Sequence, residues 1–123
     1  MSRWASSIGW IMGALGVGLG ALAAHGLKGR FDDQALGWWH TAAQYQMFHA
    51  LALLAAGRMA REGRRFAGAA SGCFFYGTLI FSGSLYVMTV TGARWLGAIT
   101  PIGGVLLILG WILGALASRQ GAE

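Results

Sequence analysis

Charge is scarce in this chain, and negative charge is scarcest: Asp32, Asp33, Glu62 and Glu123 are the only carboxylates among 123 residues. Charged residues make up 11% of the sequence, against roughly 25% in a soluble domain. No acidic residue falls inside a long apolar run, so those runs hold no carboxylate for a metal site or a proton relay. Cysteine is limited to Cys73, which excludes a disulfide within the chain and a CxxC redox or zinc motif. Between Gly72 and Phe74, Cys73 reads as a small apolar packing residue. Proline is limited to Pro101. No GxSxG-type nucleophile elbow is present.

What fills the chain instead is apolar residues, 56% of the total, and 21 glycines. In a soluble helix each interior glycine would be destabilising by about 1 kcal/mol. Membrane helices use glycine freely, because it lets backbones approach closely. The net charge of +5 does not indicate nucleic-acid binding, which needs basic residues clustered on a solvated face. Here they sit in short connections between apolar runs, and the bilayer itself is the first expected partner.

About 20 mainly apolar residues cross a hydrocarbon core, and four such runs are present, at about 4–24, 37–57, 67–91 and 96–117. Short connections between them predict an all-α fold: a single transmembrane domain over 1–123, built as an antiparallel four-helix bundle of four transmembrane helices. Asp33 is the expected N-cap of the second helix, and Gly92 the expected end of the third. The first run also resembles a secretory signal, with Arg3 ahead of it and Ala21-Leu22-Ala23 mimicking a cleavage site. Gly9-x-x-x-Gly13 and Gly16-x-x-x-Gly20 argue for a retained helix, since they form a small-residue seam suited to helix packing.

Basic residues set the expected orientation. Arg3, Arg58, Arg61, Arg64, Arg65 and Arg119 fall on one side of a four-span chain, and Lys28, Arg30 and Arg94 on the other. Lys/Arg-rich ends stay in the cytoplasm, which puts both termini and the Arg58–Arg65 loop there. The Arg cluster needs no role beyond topology, although binding of anionic headgroups is compatible with it.

The second run is unusual in its polar content. His40, Gln44, Tyr45, Gln46 and His49 all lie within it, with His40 and Gln44 on one face and Tyr45, Gln46 and His49 on a broad opposite face. A helix with two polar faces is expected to be covered on both, by neighbouring helices or by a second subunit. In the third run Ser71, Thr78, Ser82 and Thr89 form a stripe, joined towards the outer end by Ser84 and Tyr86. Thr100-Pro101 begins the outer part of the fourth, where Pro101 is expected to free a carbonyl near Gly97. His25 closes the first run on the same side. Two readings follow for this outer-half cluster: hydrogen bonds that hold helices together, or a pocket open to the outer side for a small ligand, a lipid headgroup, a quinone or a cofactor.

No cofactor and no metal are expected. Haem is the sharpest alternative, with His25 and His40 as axial ligands from adjacent helices. His40 and His49 cannot share one haem, being about 13 Å apart along one helix and on opposite faces. No CxxCH attachment motif exists.

Four segments together resemble a known family: AHGLK at 24–28, WWHTAAQYQMFHALALL at 38–54, FSGSLY at 81–86 and LGAITPIGG at 96–104. They are similar to the small bacterial membrane family catalogued as domain of unknown function 423, which also resembles eukaryotic transmembrane protein 256. The resemblance covers about residues 9–117 and implies a four-span protein of the bacterial inner membrane. It supplies no activity and no catalytic residues. The expected function is therefore an accessory or assembly subunit of a larger membrane complex or homo-oligomer, with no catalytic machinery assigned. The alternative is a small transporter or a ligand- or lipid-binding protein using an outer-half pocket around His49, Gln46 and Tyr45.

Overall fold

Four long helices carry the fold: α1 (Arg3–His25), α2 (Asp33–Arg61), α3 (Ala67–Thr91) and α4 (Thr100–Ser118). Short 3-10 segments, Arg94–Ala98 and Arg119–Gly121, flank α4. This computed structural model describes residues 3–121.

Local chemistry explains the helix ends. The cap of α2 is Asp32 rather than the expected Asp33: its side chain accepts from Ala35 N at 2.8 Å. Asp32 has the extended backbone that a cap requires, φ −72° and ψ 171°, whereas Asp33 is already helical and places its charge in the first turn, where the helix dipole favours it. Gly92 ends α3 as expected, in the left-handed region at φ 72°, with its N–H donated to Met88 O. The fourth run is not one helix. Pro101 lies in the first turn of α4, where a missing N–H leaves no helical bond unmade. Hence Pro101 starts a helix instead of interrupting one. The Leu96 carbonyl accepts from Ile99 N at 2.9 Å and from the Thr100 hydroxyl at 3.2 Å.

Consecutive helices pack antiparallel, α1 on α2, α2 on α3 and α3 on α4, with a smaller contact from α4 back to α2. The interfaces thus run as a row that turns back on itself, and a groove stays open between α1 and α3. Small residues line these interfaces. A Cβ added at Gly9 would lie 2.7 Å from Leu54, at Gly16 2.6 Å from Met47 and at Gly77 2.7 Å from Leu107. Gly13 and Gly20 face Ala50 and Ala43 at 4.0 Å. Large apolar side chains point the other way: Trp10 is 70% exposed, Val105 64% and Ile108 62%. Buried Ala and Gly with exposed Ile, Leu and Trp suit a surface in contact with lipid, where close packing rather than the hydrophobic effect joins helices.

Among the described residues, three stretches are long and apolar enough to cross a membrane: α1, α3 and Arg94–Ser118. The more polar α2 is the helix against which the others are arranged. Its buried positions include Trp39, Ala42, Gln46, His49 and Leu53.

The α3–α4 crossing gives a direct test. A Cβ at Gly103 would sit 2.8 Å from Gly77 O and 2.9 Å from Phe81 Cα, whereas one at Gly104 meets nothing nearer than 3.8 Å. Gly103→Ala should lower unfolding stability in detergent by about 1–3 kcal/mol, and Gly104→Ala should leave it near wild type.

Candidate functional site

The polar side chains of α2 divide between two flanks. Gln46, 7% exposed, turns towards α1 and α3. Its amide nitrogen donates to Met12 O at 2.9 Å, and its amide oxygen accepts from the Tyr86 hydroxyl at 2.7 Å. The Tyr86 ring meets Trp39 edge-on, centroids 4.7 Å apart. Trp39 in turn donates its indole N–H to Leu19 O at 2.8 Å. One connected set therefore ties α1, α2 and α3 together at two heights.

The α3 stripe closes against the same helix. Ser82 donates to Ala42 O at 2.7 Å, and Thr89 lies within hydrogen-bond distance of Ala35 O, at 3.1 Å, and of its own helix at Leu85 O, at 2.9 Å. Ser71, Thr78, Ser82 and Thr89 are all buried. Nearer α4, the Ser84 and Thr100 hydroxyls lie 2.6 Å apart.

His49 belongs to the other flank. The indole of Trp111 on α4 donates to His49 Nε2 at 2.9 Å, so Nε2 must be an unprotonated acceptor. Nδ1 lies 2.7 Å from Tyr45 O and carries the proton as donor. These two bonds select the neutral Nδ1–H tautomer. Phe74 packs beside both rings, 5.9 Å from His49 and 5.3 Å from Trp111. Tyr45 is 39% exposed and stacks on Phe81 at 4.6 Å.

Tyr45 and His49 lie together, their rings stacked with centroids 5.9 Å apart, while Gln46 turns to the other flank, so the three do not converge as one site. Three residues advance a helix by 300°, so Gln46 and His49 sit about 60° apart in projection. With helices packed on each side, that angle sends one to α1 and the other to α4. His25, His40 and Gln44 stay outside this interior. His25 is exposed at the end of α1, and His40 and Gln44 are exposed on α2. There they border a shallow depression with Gly16, Gly20, Ala43 and Met47, so the second polar face of α2 is not covered by this chain. Among the described residues, no three His, Cys, Asp or Glu side chains gather as a metal site.

The loop after α2 joins both ends of the described chain. Glu62 pairs with Arg64 at 2.9 Å and with Arg58 at 3.6 Å. Arg61 bonds the Ser6 hydroxyl, Arg64 donates to Ser118 O at 3.2 Å, and Arg65 N donates to the Gln120 side chain. The four arginines thus lie at one end of the molecule with the start of α1 and the end of α4.

Trp111 is the residue that sequence reasoning missed. Its one signal was an indole donor halfway along an otherwise aliphatic helix, a group that seeks a partner when buried.

The model of the family described as "Protein of unknown function (DUF423)" matches residues 19–104. The chain belongs to this family. It is 45% identical over 113 residues to the UPF0382 membrane protein YwdK of Bacillus subtilis, covering 90% of this chain and 92% of the relative. It is 44% identical over 114 residues to the UPF0382 membrane protein SERP0230 of Staphylococcus epidermidis, covering 89% and 93%. A UPF0382 membrane protein of Haemophilus influenzae is 44% identical over 96 residues, covering 78% and 77%. No solved structure matches the chain. These relatives and the apolar helices identify a membrane protein.

The Gln46–Tyr86 bond can be weighed by a double-mutant cycle. Gln46→Leu and Tyr86→Phe should each destabilise, with a coupling of about 0.6–1.7 kcal/mol between them. Additive effects in unfolding measurements would show that the two side chains do not support each other.

Proposed function

We propose that this protein is a non-catalytic, four-span subunit of a larger membrane assembly, and that its polar α2 segment is structural on one side and a contact surface on the other. The observation that carries this reading is the contrast between the two polar faces of α2. Gln46 and His49 are bonded to neighbouring helices, while Gln44 is exposed.

Depth makes the contrast matter. α2 has 29 residues and is about 43 Å long, against a hydrocarbon core of about 30 Å. Centred in that core, Gln44 lies about 10 Å inside the hydrocarbon, and His40 close to its edge. An amide facing lipid is unfavourable, and such groups turn towards protein or a cavity. A helix of another subunit over the Gly16–Gly20 depression would supply both a hydrogen-bond partner and close packing. Support for α2 as a fourth span comes from its length, its central position and the pairing of its buried polar groups. The four spans then lie at about 4–24, 37–57, 67–91 and 96–117, an antiparallel transmembrane bundle in one domain.

Orientation follows from the arginines gathered with both chain ends. With Lys/Arg-rich loops retained inside, the termini and the Arg58–Arg65 loop are cytoplasmic, and the protein resides in the bacterial inner membrane. In a Cys73→Ala background, a membrane-impermeant thiol reagent should label Lys28→Cys in intact cells. Glu62→Cys should react only after permeabilisation, and the reverse pattern would invert the proposed topology.

The subunit reading is tested by size. Extracted with its surrounding lipid, wild-type protein should run as an assembly larger than one chain. Gln44→Leu should shift it towards the monomer while leaving helix content unchanged. A wild-type protein that remains a lone monomer in native lipid would contradict the proposal.

A further inference from the structure

On the opposite flank of the α1–α2 seam from Gln44, α1 and α3 diverge over α2. They leave a groove of about 400 Å³ that opens sideways towards lipid. That volume falls within the roughly 300–1,000 Å³ of small-molecule sites. Its walls are apolar: Ile8, Ile11, Leu15 and Leu19 from α1, Phe75 and Leu79 from α3. The polar lining is different in kind, consisting of Gln46, Thr78, Ser82 and Tyr86. Gln46, Ser82 and Tyr86 also bond neighbouring helices, and Thr78 does not.

Two hydrogen-bond donors there remain available. Thr78 is only 5% exposed, and its hydroxyl is the one buried side-chain polar atom among the described residues with no hydrogen-bond partner. In a helix a threonine hydroxyl normally has a choice of two rotamers, so Thr78 can turn it towards an incoming acceptor. Gln46 carries two amide N–H donors, and its bond to Met12 O uses one. The Gln46 oxygen is already occupied by Tyr86, and Ser82 donates its proton to Ala42 O. The lining therefore lacks an acceptor oxygen more than it lacks a donor.

Depth narrows the class further. Gln46 is the fourteenth of 29 residues in α2, and Thr78 the twelfth of 25 in α3, so both lie near mid-membrane. The ester carbonyls of bilayer lipids sit at the edge of the hydrocarbon core, about 15 Å from its centre. A carbonyl carried on a molecule dissolved in the core can reach this depth. We propose that the groove between α1 and α3 binds a membrane-dissolved carbonyl compound with an apolar tail, of the quinone class, holding its oxygen at Thr78 and Gln46. The proposal rests on the four-span reading for its depth and not on the subunit reading, since it uses the other flank of α1.

Two substitutions test it in the full-length protein reconstituted in nanodiscs, with a decyl-substituted benzoquinone as probe and tryptophan quenching as readout. Thr78→Val removes the hydroxyl with little change of shape and should weaken saturable binding about 5- to 10-fold, the loss of roughly one hydrogen bond. Gly83 borders the groove, and a Cβ there meets nothing within 4 Å. Gly83→Leu should fill the space and abolish saturable binding, while Gly83→Ala retains the fold. Helix content and melting are followed for each variant, and if the leucine variant fails to fold, Thr78→Val alone decides. Linear, unsaturable quenching by wild type overturns the proposal, as does equal affinity in wild type and Thr78→Val. A diacyl lipid that co-purifies and resists displacement by the quinone overturns the ligand class.

Discussion

A polar side chain buried between apolar helices has no water to turn to, and most of this structure can be understood as the consequence of placing Trp39, Gln46 and His49 on one helix. Between them they draw partners from all three other helices: Leu19 O and Met12 O on α1, the Tyr86 hydroxyl on α3, the Trp111 indole on α4. Backbone carbonyls have a second lone pair after their helical bond is made, so α1 can accept from α2 without unwinding. Two such bonds, at Leu19 and Met12, are separated by about two turns and fix both the height and the rotation of α1. Losing either contact would leave a buried amide or a buried indole unpaired, at a cost of about 1–3 kcal/mol each. The α1–α2 seam is thus held by polar bonds together with close packing, and glycine at positions 9 and 16 permits the approach that makes them.

The distribution of side-chain size follows from the same solvent. Between helices lie Ala5, Ala42, Ala50, Ala56, Ala67 and Ala70, all nearly inaccessible, while Trp10, Trp95 and Trp111 are more than half exposed. In water this arrangement would leave an extensive apolar surface uncovered. In lipid it carries little penalty, because hydrocarbon solvates Ile and Leu as well as a protein core does. Stability then depends on contact and on hydrogen bonds, which explains why one added methyl at Gly103 is expected to matter more than a large change on the outer face.

Much of this was legible in the sequence, and the misses are physically specific. Helix positions followed from run length, and Gly92 from the need for a left-handed residue. The spacing of Ser71, Thr78, Ser82 and Thr89 put them on one side of α3, and the structure buries that side. Asp32 and Asp33 could not be separated as caps, since both have the right side chain and only the backbone angle distinguishes them. Pro101 was read as an interruption because the apolar run continues through it, whereas hydrogen bonding begins a new helix there. The division of Gln46 from His49 was invisible for another reason. A helical wheel places both on one broad face, and only the angle at which α1 and α4 meet α2 assigns them different neighbours. Trp111 was hidden by its setting, a single polar atom on a large apolar side chain among leucines.

Gln46 joins the two roles considered for the polar interior, because interhelical bonding and ligand binding need not compete for it. Its oxygen and one N–H are fixed by Tyr86 and Met12, which removes the rotational freedom that a free glutamine would lose on binding. Side-chain ordering costs about 0.5–1.5 kcal/mol per immobilised residue, so a glutamine already held in place presents its remaining N–H at little further cost. The bonds that hold α1 against α2 thereby also preorganise the lining of the groove beside it. A carbonyl bound there would complete the hydrogen bonding at Thr78 without disturbing the contacts that hold α1, α2 and α3 together. Binding and folding would then draw on different donors of the same side chain, which is why removing the Thr78 hydroxyl is expected to affect the first far more than the second.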